Sequence, residues 1–179
     1  MAGADVDAQF VGGHTESPLH WAASSNDVDA VDALLDAGAD IEAPGSVMDG
    51  GAPLADACGF GQWNAARRLV ERGASTRLKD AAALGMMDRV EAYFAAGVPD
   101  TETVTSALWS AVKGHQRAAA EYLIECGGDV NWIGWDHQTC LDVAIGNGDA
   151  AFIEWLRDRG AIGADEFHRS GGSERPDGR

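Results

Sequence analysis

Five stretches of the chain end in a glycine that is preceded, always at the same two distances, by a leucine and an alanine. The glycines are Gly38, Gly73, Gly97, Gly127 and Gly160. Nineteen residues before them stand Leu19, Leu54, Leu78, Leu108 and Leu141, and sixteen before them stand Ala22, Ala57, Ala81, Ala111 and Ala144. Self-similarity over a few tens of residues means stacked copies of one small unit. Leu and Ala three apart share one face of a short helix, and the alanine lets a neighbouring helix approach closely. Asn26, Gly61, Gly85, Gly114 and Gly148 then interrupt each copy, which suits a tight helix-helix turn. A second apolar-periodic run follows (Val28, Val31, Leu34 and Leu35 in the first copy), and the closing glycine suits the residue just past a helix end. Ser17-Pro18 and Thr139-x-x-Asp142 read as helix starts, the second as a capping box.

This pattern outweighs a composition that leans the other way. Leu, Ile, Val and Phe make up 34 of 179 residues, or 19 %, beside a net charge of −16. That falls on the disordered side of a rule set at about 20 %. Ala supplies 32 residues, so the chain packs through small side chains and close backbones. Thirteen Lys and Arg against 29 Asp and Glu argue against nucleic acid and against an anionic membrane surface as partners. No apolar run reaches the roughly 18 residues of a spanning helix. Residues 1–7 carry neither the basic nor the apolar region of a secretory signal. Cys58, Cys126 and Cys140 form no disulfide framework or metal pair, so the expected setting is a reducing cytoplasm.

Ser17-Pro18-Leu19-His20-x-Ala22 resembles the T-P-L-H-x-A of the ankyrin repeat, and Gly38-Ala39-Asp40-Ile41-Glu42 and Gly127-Gly128-Asp129-Val130-Asn131 resemble its G-A-D-V-N. The resemblance implies an all-α solenoid of five helix-turn-helix repeats over 15–162; the segment at 1–14 is expected to be partly ordered, either adding a short cap around Phe10 or fraying. A polar, disordered tail follows at 163–179. Glycine spacings of 35, 24, 30 and 33 predict short or missing β-hairpin fingers. Between Gly73 and Leu78 there is no room for a finger, and 98–105 reads as irregular. In the fourth repeat the turn glycine stands one place early, at Gly114. Arg157 replaces the apolar residue of the other copies and marks the last repeat as a cap.

The family's partners dock on the fingers and on the exposed end of each first helix. Carried over by position, the last finger is Trp132-Ile133-Gly134-Trp135-Asp136-His137-Gln138, and the helix-end slots include Phe60 and Leu84, with Val47 and Met48 on the first finger. Trp132, Ile133, Trp135, Phe60, Met48 and Leu84 are therefore the expected contacts of a protein partner, because large apolar residues at exposed slots need something to cover them. The plainer reading folds a Trp back on Trp109 or Val104. Trp21, Trp63 and Trp155 fall on core-facing slots, and His20 on a structural one.

The expected function is protein binding through an apolar and aromatic concave strip, with no catalytic residues, no metal and no cofactor. One alternative is a small-molecule binder or atypical enzyme using Asp136, His137, His115 and Trp109. Another is an acidic decoy for a basic target. A third is self-association through the strip.

Overall fold

The computed structural model describes residues 5–9, 15–48 and 50–170, which are all-helical with no strand among them. They fall into two compact units, Met1–Asp80 and Ala81–Arg179. In the first, α1 (Pro18–Ser24) and α2 (Val28–Asp36) form one helix pair, and α3 (Pro53–Gly59) and α4 (Trp63–Glu71) the next. The unit boundary falls inside α5 (Leu78–Ala83). The second unit holds α6 (Met87–Ala96), the pairs α7 (Thr101–Lys113) with α8 (Arg117–Glu125) and α9 (Cys140–Asn147) with α10 (Ala150–Arg157), and a short α11 (Ala164–Arg169). Within the first unit α1 packs on α2 and α3, and α2 on α4; within the second α7 packs on α8 and α9, and α9 on α10. None of the described helices is long and apolar enough to cross a membrane.

All five repeat leucines and all five repeat alanines are buried. Each leucine removed from water contributes about 1.5–3 kcal/mol, and each alanine keeps neighbouring helices close. The twelfth residue before each closing glycine is left-handed: Asn26, Gly61, Gly85, His115 and Gly148 have φ between 58° and 76°. In the fourth repeat, then, the turn is not displaced. His115 adopts it at φ 59°, while Gly114 has φ −81°. Gly114 is a glycine for another reason, because a Cβ there would run into the carbonyl of Ala83.

Asp100 caps α7, accepting from the Thr103 amide at 2.8 Å, so the stretch expected to be irregular is helical from Thr101 onward. The tail expected from 163 opens with α11, whose first amide, that of Ala164, donates to Asp142 Oδ2 at 2.9 Å. The expected cap around Phe10 and residues 171–179 lie outside the described residues.

Two helix starts form as the sequence suggests. Thr139 and Asp142 make a reciprocal capping box, and buried His20 takes the Ser17 amide on Nδ1 at 3.1 Å, while its Nε2 lies 3.3 Å from the Gly51 carbonyl. Two tryptophans depart from their expected core slots. Trp21 is 54 % exposed and Trp63 is half-buried. Trp155 is buried, with the Arg159 guanidinium 3.9 Å from its ring centre. Between α2 and α4, Arg68 and Arg72 both reach Asp32 at 2.7 Å, and these bonds hold its carboxyl below the usual range.

The end of a repeat also appears before α1. The Asp7 amide donates to Asp5 Oδ1, and the Ala8 amide to the Asp5 carbonyl. The same two bonds recur at Asp40-Glu42-Ala43 and at Asp129-Asn131-Trp132. The side chain at the second of these positions then takes an amide of the next repeat: Asp7 that of Asp40, Glu42 that of Ser75, Asn131 that of Ile162. Residues 5–8 therefore share the bonding pattern of the turns that close the later helix pairs. Its signal is Gly3-Ala4-Asp5-Val6-Asp7, 35 residues before Gly38, which the five-repeat reading passes over.

Candidate functional site

The last finger is a compact turn. The Gly134 amide donates to the Gln138 carbonyl at 2.9 Å, and the Gln138 amide to the Trp135 carbonyl at 3.3 Å. Between them Asp136 and His137 are both left-handed, at φ 59° and 55°. Such backbone costs roughly 1–2 kcal/mol per residue away from glycine, somewhat less for Asp. Strain of this kind persists where surrounding contacts hold it.

Those contacts are aromatic. Trp109 is buried on α7, and its indole N–H donates to the Gln138 carbonyl at 3.0 Å. Trp135 meets Trp109 edge-on, with ring centres 5.1 Å apart, and meets Trp132 in the same way at 5.5 Å. Gly134 makes this possible, because a Cβ there would lie 2.5 Å from the Trp132 ring and 2.8 Å from the Trp109 indole nitrogen. The Lys113 ammonium stands 5.2 Å from the centre of the Trp109 ring. Trp135 remains 37 % exposed, and Trp132 and Ile133 are half-buried. Trp135 folds back on Trp109, as the plainer reading expects, and still shows a face to solvent.

The other expected contacts divide. In the first unit Phe60 is 48 % exposed at the end of α3, with Val47 exposed as well. Met48 is half-buried, and its side chain closes over Gly59, where a Cβ would lie 2.6 Å from it. Leu84, in the second unit, is half-buried. Of the residues weighed for acid-base chemistry, Asp136 and His137 are exposed in the finger turn, while His115 is exposed at the turn between α7 and α8. Among the described residues no group of three or more His, Cys, Asp and Glu side chains is placed to hold a metal ion.

A buried acid escaped the sequence reading. Asp56, on α3, has no exposed surface; its Oδ1 accepts from the Ser46 hydroxyl at 2.5 Å, and its Oδ2 has no partner among the described residues. Burial pushes its carboxyl above the usual range. Ser46 also accepts the Met48 amide at 2.8 Å, so Asp56 anchors the turn that carries Val47 and Met48. Nothing in the spacing of Asp56 marks it as buried.

A family model described as ankyrin repeats (3 copies) matches residues 2–80. The crystal structure of the human ASB11 ankyrin repeat domain is similar at 24 % identity and a TM-score of 0.45, over 82 % of this chain and 71 % of that one. No curated protein matches the chain. Residues 2–80 are thus similar to ankyrin repeats, and the helix pairs after them keep the same register of leucine, alanine, left-handed turn and closing glycine.

Proposed function

We propose that this chain is a protein-protein interaction module whose contact centre is the finger formed by Trp132, Ile133 and Trp135. Ankyrin repeats in general serve as such modules. The observation that carries the reading is the exposed face of Trp135, braced edge-on against the buried Trp109. An aromatic anchor already held in place loses little rotamer freedom when a partner covers it. Such anchors typically account for 2 kcal/mol or more of binding. Phe60 and Met48 in the first unit, and Leu84 in the second, are the further contacts of this reading.

The test is affinity capture from a lysate of the native cell, with captured proteins identified by mass spectrometry. The wild type is compared with Trp135→Ala and with Trp132→Ala/Trp135→Ala, each checked for helix content. The expected result is a protein retained by the wild type and lost from both variants. Retention of the same protein by all three places the contact elsewhere. Retention by none removes the reading.

A further inference from the structure

The loop between α2 and α3 is closed on itself. The Gly45 and Ser46 amides donate to the Gly51 carbonyl at 3.2 and 2.9 Å, and the Gly50 amide donates to the Ser46 carbonyl at 2.9 Å. Gly45 lets the loop start against the chain before α1, because a Cβ there would run into the Thr15 carbonyl. The loop carries exposed Val47, and Met48, whose side chain packs on Gly59. Ser46 is buried, and its Oγ accepts the Met48 amide at 2.8 Å.

That hydroxyl has one hydrogen and two acceptors within reach. Asp56 Oδ1 lies at 2.5 Å and the Met48 carbonyl at 3.1 Å. The state of Asp56 decides between them. An ionised carboxylate only accepts, so it takes the Ser46 hydrogen and leaves the Met48 carbonyl with a long bond from the Gly51 amide, at 3.4 Å. Asp56 protonated on Oδ1 has a hydrogen of its own. It donates to Ser46 Oγ, whose hydrogen then turns to the Met48 carbonyl. One serine thereby holds both backbone groups of Met48, at the cost of one proton from solvent.

No guanidinium of the neighbouring elements fixes Asp56 in its ionised state. Arg68 and Arg72 of α4 reach Asp32 of α2, and Arg77, before α5, holds Asp80 at 3.0 Å. Burial is the largest influence on Asp56 and disfavours its ionised form. The Ser46 hydroxyl and His20 of α1 favour that form, and Glu16, buried just before α1, opposes it. Asp56 Oδ2 has no hydrogen-bond partner among the described residues, and a buried charge so poorly matched is costly. We infer that Asp56, Ser46 and Met48 form a proton-operated catch: uptake of one proton by Asp56 swings the Ser46 hydroxyl from the carboxylate to the Met48 carbonyl and tightens the loop that presents Val47. Its effect on binding rests on the reading of Met48 as a partner contact, whereas the catch itself does not.

The test is carbon-13 methyl resonance of the four methionines of the full chain, with the Met48 signal assigned by Met48→Leu. Asp49 adjoins Met48 and lies outside the described residues, so every comparison is made in an Asp49→Asn background. Between about pH 8 and about pH 4, with helix dichroism unchanged, the Met48 signal is expected to move between two limiting positions. Its midpoint is expected above that of an exposed carboxylate. Asp56→Asn, whose amide donates in place of the acid hydrogen, is expected to hold the acid position throughout. Ser46→Ala keeps the carboxyl and is expected to abolish the movement. A Met48 signal that stays still in the unsubstituted loop overturns the proposal. Movement that survives in Asp56→Asn overturns it in favour of Glu16 or His20. Movement that survives in Ser46→Ala overturns it in favour of the bare field of the carboxylate. If Asp56→Asn unfolds, Ser46→Ala decides alone. These signals come from the free chain, so a failed catch leaves the tryptophan finger standing, and a chain that captures no protein leaves the catch standing.

Discussion

Asn26 and His115 share one backbone conformation, φ 58° and 59°, and the structure predicts opposite results when each becomes glycine. His115 is exposed at the turn between α7 and α8. Left-handed backbone costs a residue of its kind about 1–2 kcal/mol. Glycine avoids that cost but loses about 0.5–1 kcal/mol more chain entropy on folding. The balance leaves His115→Gly more stable by about 0.5–1 kcal/mol. Asn tolerates the conformation, so relief at Asn26 is small. Its side chain also does something no glycine can. Oδ1 accepts the amide of Ala65 at 3.0 Å, in the first turn of α4, where helix amides have no partner of their own. Ala65 is wholly buried, and leaving that amide unpaired costs about 1–3 kcal/mol. Asn26→Gly is therefore expected to lose about 1–2 kcal/mol. Urea unfolding followed by helix circular dichroism reads both. At a slope of about 1–3 kcal/mol per molar, a change of 1 kcal/mol moves the midpoint by about 0.3–1 M. Comparison holds where the slopes agree with wild type, and hydrogen exchange of the local amides replaces it where repeats unfold separately. A lowered midpoint for His115→Gly, or a raised one for Asn26→Gly, refutes the reasoning.

Three other perturbations have definite outcomes. Gly134→Ala places a methyl against the Trp132 and Trp109 rings, and overpacking of this kind costs about 1–3 kcal/mol; the near-ultraviolet tryptophan dichroism should fall while helix content stays. Asp56 has its carboxyl raised by burial, so the ionised form costs stability above the folded pKa, and the cost disappears as pH falls below the unfolded one. Asp56→Asn should thus be more stable than wild type at neutral pH, and the gap should close as acid reaches the ordinary carboxylate range; a gap that widens in acid contradicts the burial argument. A thiol-reactive dye should label exposed Cys126 on the native chain, while Cys58 and Cys140, both buried, react only after unfolding; burial pushes the Cys140 thiol up to about 12. Rapid native labelling at Cys140 would show that α9 opens.

Repeat number and helix order were open to reading because they rest on local chemistry. A leucine and an alanine three apart, a break, and a closing glycine describe one helix pair whatever surrounds it, and α1 to α10 follow that register. Even the missed turn at 5–8 carried its signal, Gly3-Ala4-Asp5-Val6-Asp7, a full period before Gly38. Gly114 shows where spacing misleads: the glycine answers to the nearby Ala83 carbonyl, and the left-handed turn belongs to a histidine. Exposure was open to reading only in part: Phe60 and Trp155 lie as their slots suggest, whereas Trp21 does not. Trp21 sits on a slot that is buried when another helix pair covers it, and no residue beside it in sequence tells whether one does. Trp135 is both packed and exposed because Gly134 admits two rings from different parts of the chain, Trp109 on a helix and Trp132 on a turn. Asp56 is buried, and its carboxylate accepts from a serine ten residues earlier that folds back to it. Local pattern settles which segments become helices, since each turn of helix satisfies its own backbone. Which faces meet water depends on what packs against them, and that is decided only when distant segments come together.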